Sequence, residues 1–152
     1  MKTSAESAGR DPGDVQIATL LMTCVDPTDD AAVFAARRGI AFYCASKHYL
    51  HIADICGLGA DARKVKVAWE ERAFDRATEL VSDQLLDKFS LVGTPEANTA
   101  RIQWLFDNNV YPIVYPLPRR ERMVEDHHSV LEQASRWAHT LEIAPADPVT
   151  SG

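Results

Sequence analysis

The chain has 152 residues, enough for one domain with a real core, and its 46% apolar and 25% charged residues are those of an ordinary globular protein. With 22 acidic against 16 basic residues the formal net charge is -6, which argues against nucleic acid or an anionic membrane as partner, because phosphate binding needs a basic surface. Cys24, Cys44 and Cys56 form no CxxC pair, so neither a disulfide framework nor a zinc ribbon is indicated, and a reducing cytoplasm is the simplest setting. The first ten residues lack the apolar centre of a secretory signal, and no apolar run approaches the ~20 residues that cross a bilayer.

In chain order, residues 4–8 read as the last turns of a helix, stopped by Gly9 in a left-handed conformation with Pro12 just beyond. Residues 15–25 are apolar, partly β-branched and almost uncharged, the pattern of a strand covered on both faces, as in a parallel sheet. Asp26-Pro27-Thr28-Asp29-Asp30 then supplies a capping side chain, a proline in the first turn and carboxylates near the positive end of a helix dipole. Helical spacing continues through Ile40, Tyr43 and Cys44, and again through Tyr49, Leu50, Ile52 and Ala53, until Gly57-Leu58-Gly59 interrupts it.

Residues 61–91 stay helical in two or three segments, with Val65, Ala68 and Trp69 on one face and Ala77, Leu80, Val81, Leu85 and Leu86 on another. Gly93-Thr94-Pro95-Glu96 is a strong helix start, and the helix it opens carries Ile102, Leu105 and Phe106 as far as Asn108-Asn109, where Asn can adopt the left-handed turn. Residues 111–117 form a second strand, with Pro112 at its first residue and Pro116 near its end. A final amphipathic helix places Met123, His127, Val130, Leu131, Ala134, Trp137, Ala138 and Leu141 on one stripe, and residues 146–152 read as a loose tail. Two strands separated by about eighty residues of helix must pair in parallel, and such a pair cannot bury its own faces.

This order resembles the bacterial luciferase-like monooxygenase family, which includes deazaflavin-dependent reductases. Ala5-Glu-Ser-Ala-Gly-Arg-Asp-Pro12 is similar to the end of that family's sixth barrel helix, and residues 15–26 to its seventh strand. Residues 31–43 match the helix that follows, Gly57-Leu58-Gly59 a family turn, Gly93-Thr94-Pro95-Glu96 its "GTPee" element, residues 111–116 its eighth strand, and residues 123–141 its closing helix. The resemblance implies a mostly helical α/β fold: the C-terminal part of a (β/α)8 TIM barrel, its last two strands plus a helical insertion and a closing helix. Residues 1–14 would be the end of a barrel helix and a turn, 15–144 the barrel portion, and 145–152 a flexible tail. A full barrel takes about 250 residues. The resemblance therefore implies a chain that lacks most of the family's flavin contacts and is inactive alone.

The resemblance also implies an oxidoreductase or monooxygenase that uses reduced FMN or the deazaflavin coenzyme F-420. Its substrate would be a small molecule, and its partner a second copy or a complementing N-terminal barrel part. A non-enzymatic helical remnant, or one subunit of a split barrel, is the alternative. No residue is assigned as catalytic and none as a metal ligand. Arg119 and Arg120, with Arg122, follow the last strand, where barrel loops bind phosphate; they suit a cofactor phosphate or an anionic substrate, or form a solvated charge run. His48 and His51 share a helix side but lack a third ligand, and His127 lies on an apolar stripe. Cys24 reads as a buried structural thiol, and Trp69, Trp104 and Trp137 as core residues.

Overall fold

The computed structural model describes residues 2–24, 30–92 and 95–117, together with 128, 131, 132 and 135. Helix α1 (Lys2–Ser7) ends at Gly9, whose φ of 69° is the left-handed stop read from the sequence. A single 3-10 turn, Pro12–Asp14, then carries the chain into strand β1 (Ile17–Cys24), with Asp11 accepting from the Gly13 amide at 2.8 Å. Five helices follow: α2 (Asp30–Cys44), α3 (Lys47–Ile55), α4 (Gly59–Glu70), α5 (Phe74–Glu79) and α6 (Asp83–Phe89). Strand β2 (Ser90–Val92), helix α7 (Pro95–Asp107) and strand β3 (Val110–Pro116) complete the described elements. The reversal into β3 runs through Asn109 at φ 57°, as expected of an Asn at that turn. Of the expected closing helix only His128, Leu131, Glu132 and Ser135 are described, all helical and exposed.

The sheet has three parallel strands in the order β2-β1-β3, not the two expected from the sequence. Strand β1 pairs with β3 from Ile17↔Val110 to Thr23↔Pro116, and with β2 from Met22↔Ser90 to Cys24↔Val92. The additional strand replaces the last residues of what reads as a helix. Ser90 ends α6 with its hydroxyl bonded to the Leu86 carbonyl, and the next two residues extend along the open edge of β1. Both prolines of β3 lie on an edge strand, where a missing amide donor costs no ladder bond.

Side chains alternate across the sheet and divide its surroundings in two. Leu21, Leu91 and Val114 face α7, where they pack with Ile102, Leu105 and Phe106. Met22 faces the other way, into a larger cluster built by α2 through α6. That cluster contains Ala36, Ile40, Ala41, Val65, Ala77, Val81 and Leu85, all 2% exposed or less. Small residues on α2, α4 and α5 let the helix axes approach closely while the branched residues fill the seams. Buried polar groups are paired: Thr23 bonds the Leu21 carbonyl at 3.0 Å, and Thr78 bonds the Phe74 carbonyl at 2.8 Å.

Candidate functional site

Helix α2 is the element that shapes the site. At Gly39 an added methyl would meet Met22 Sδ at 3.0 Å and Leu117 Cδ1 at 3.3 Å, so the helix rests directly on the carboxyl ends of β1 and β3. Glycine costs a helix interior about 1 kcal/mol relative to alanine. Here it gives the close approach of helix to sheet. The C-terminal half of α2 then overhangs the same sheet face further down, without reaching it everywhere.

Under that overhang lies a partly enclosed apolar cleft of about 70 Å³. Leu20 and Met22 of β1 form its floor, and Ile40, Tyr43 and Cys44 of α2 its roof. Tyr49 and Ala53 of α3 and Phe89 at the end of α6 close the sides. The turn that brings α3 back against α2 is fixed by Ser46, which caps α3 by accepting from the His48 amide. The rings of Tyr43 and Tyr49 stand 4.6 Å apart at the cleft, with Phe42 edge-on to Tyr43 at 5.5 Å. No charged side chain lines it. Below it the sheet face is open to solvent: Leu20 and Ile113 are each 50% exposed and Tyr115 43%.

Electrostatics keep the cleft neutral. Burial, then the neighbouring phenols of Tyr49 and Tyr115, push the Tyr43 hydroxyl above its ordinary range. Burial alone pushes the Cys44 thiol up to about 11, so it stays protonated and is no nucleophile at neutral pH.

The residues singled out from sequence fare differently. Arg119, Arg120 and Arg122 lie outside the described residues, as do His127, Trp137 and the side chain of Cys24. His48 and His51 are exposed on α3, and among the described residues no group of three potential ligands could hold a metal ion. Trp69 packs against the helical cluster as expected, beside Phe42 and Phe74. Trp104 does not: it is 61% exposed on the outer side of α7, because the sheet takes only the Ile102, Leu105 and Phe106 side of that helix. Tyr43, Tyr49 and Phe89 carry no site signal in the sequence, since each looks like routine helix patterning until the fold brings them together. No described helix is long and apolar enough to cross a membrane.

Parallel strands joined through helices, with α7 packed on one face of the sheet as an outer barrel helix would be, are compatible with a segment of a (β/α) barrel. The sequence profile of the luciferase-like monooxygenase family matches residues 1–108. The chain belongs to that family. A solved member of the same fold is the coenzyme F-420 dependent tetrahydromethanopterin reductase from Methanopyrus kandleri, with a TM-score of 0.68 and 21% identity. The match covers 89% of this chain and 38% of the reductase, so the chain spans well under half the length of that relative. FMN and coenzyme F-420 both carry phosphate, and the cleft of this luciferase-like chain offers no cation to meet one. That cleft therefore does not fit the phosphate-bearing part of the cofactor.

Proposed function

We propose that the chain is the C-terminal part of a luciferase-like oxidoreductase barrel and supplies its substrate compartment, with flavin or deazaflavin held mainly by strands outside this chain. The observation that carries this reading is the position of α2. It roofs the carboxyl ends of the strands on the face opposite α7, and barrel helices pack outside, so the roofed face is the one that would look into the barrel. Active sites of such barrels lie at that end. The adjacency of β1 and β3 supports their reading as the seventh and eighth strands, with β2 on the edge where a sixth would pair. The cofactor when bound supplies the redox chemistry; the residues of this chain bind a small molecule, orient it and keep water from it. Arg119 and Arg120 remain candidates for a phosphate or an anionic substrate.

The test is spectroscopic. Purified alone, the chain is expected to be colourless and to bind neither FMN nor coenzyme F-420. Produced together with a polypeptide carrying the preceding barrel strands, it is expected to copurify with one of them and absorb in the flavin region. Stoichiometric cofactor on the isolated chain would contradict the reading. A second reading, a non-enzymatic remnant, draws on the helical cluster, which buries residues of five helices together. It predicts a cooperatively folded protein that gains no colour with any complementing strand set.

A further inference from the structure

The cleft has a chemistry of its own that limits what can enter. Its walls are Leu20, Met22, Ile40 and Phe89, so a carboxylate or phosphate entering it would lose hydration and gain no counter-charge. Its volume of about 70 Å³ is smaller than a ~150 Å³ cavity known to hold benzene, so one ring would sit partly in the cleft and partly in its open mouth. The aromatic side chains give that ring edge and face contacts, and Met22 adds a polarizable sulfur. The polar groups on offer are phenols. Tyr43 and Tyr49 line the cleft, and neither phenol hydroxyl makes a hydrogen bond with another described residue. Each can donate one bond and accept another.

We infer that the cleft binds a small uncharged one-ring aromatic compound bearing a hydroxyl or carbonyl oxygen, with the ring against Leu20, Met22 and Phe89 and the oxygen bonded to Tyr43 or Tyr49. The inference deepens the reading of the cleft as a substrate compartment and rests on it for biological meaning, while the binding itself requires no cofactor.

Ligand-observed NMR titration of the full 152-residue chain with p-cresol, toluene and 4-methylbenzoate tests the assignment. Saturable p-cresol binding is expected, with toluene about 5–10-fold weaker for want of one hydrogen bond and 4-methylbenzoate showing no saturation. Replacing both Tyr43 and Tyr49 by Phe should bring p-cresol down to the affinity of toluene and leave toluene unchanged. Leu20→Glu, at a half-exposed position, should abolish both while the far-UV circular dichroism is retained. Equal binding of all three compounds, binding of none, or binding indifferent to Leu20→Glu would overturn the inference. Failure here with colour in the completed barrel would sink the ligand class alone; binding here without colour would sink the oxidoreductase reading alone.

Discussion

The helices between β1 and β2 enclose a core among themselves, although Phe42, Ile55 and Val67 on their outer sides stay 54–73% exposed, while the sheet they roof leaves one inner face uncovered. Ala36, Ala41, Ala62, Val65, Ala77 and Leu85 are fully buried among themselves, whereas Leu20, Ile113 and Tyr115 stand 43–50% exposed on a parallel sheet. A helix satisfies its backbone internally and needs only one apolar stripe covered. A parallel strand needs partners on both edges and cover on both faces. One stretch of sequence can therefore build a buried core among the helices and still leave the sheet open.

The sharpest way to separate the two regions is a pair of leucine truncations. Leu85→Ala, at 0% exposure, is expected to cost about 3 kcal/mol in denaturant unfolding, and Leu20→Ala, at 50%, less than about 0.5 kcal/mol. Equal costs would mean that the sheet face is as well packed as the helices.

Arg101 tests how β2 is tied to its surroundings. Its guanidinium donates to the Asp87 carbonyl, to the Ser90 carbonyl at 2.7 Å and to the Lys88 carbonyl at 2.9 Å, gathering the end of α6 and the start of β2 onto α7. Arg101→Ala should cost about 2 kcal/mol, and Arg101→Lys should recover less than half of that, since an ammonium cannot span three carbonyls. Full recovery with Lys in a thermal melt would reduce the residue to a simple positive charge.

Cys44 gives a pH-dependent contrast. Its thiol is raised from an ordinary value of 9.0 to about 11 by burial. The unfolded chain therefore releases this proton before the folded one. The stability this group contributes is fully present below pH 9 and lost as pH rises towards about 11. Site-mapped labelling at pH 8 should modify Cys56 at least about tenfold faster than Cys44, which is buried where Cys56 is partly exposed. A smaller change is expected at Ser82, whose side chain accepts from the Leu85 amide at 3.2 Å: Ser82→Ala should lower stability by about 1 kcal/mol.

Much of this contrast was legible beforehand where one residue decides locally. Gly9 and Asn109 both adopt the left-handed turns their types favour, and the apolar run 15–25 contains β1. Strand β2 was not legible, because three residues carry no period; Leu91 extends only since β1 offers it an open edge. The cleft was hidden for a related reason. Tyr43 and Tyr49 fit a helical pattern and Tyr115 a strand, and only the resting of α2 on Met22 and Leu117 brings them to one place. Trp104 sits on an apolar stripe yet stays exposed, because a helix stripe does not reveal how wide a neighbour will cover it.

Amide hydrogen exchange followed by mass spectrometry tests the open sheet most directly, on the chain alone and on the chain joined by the preceding barrel strands. The account predicts slow exchange throughout α4 to α6 in both samples, and fast exchange over residues 17–20 and 110–115 that slows markedly once the added strands are present. Protection of those strand segments in the isolated chain equal to that of α4, unchanged by any addition, would contradict it.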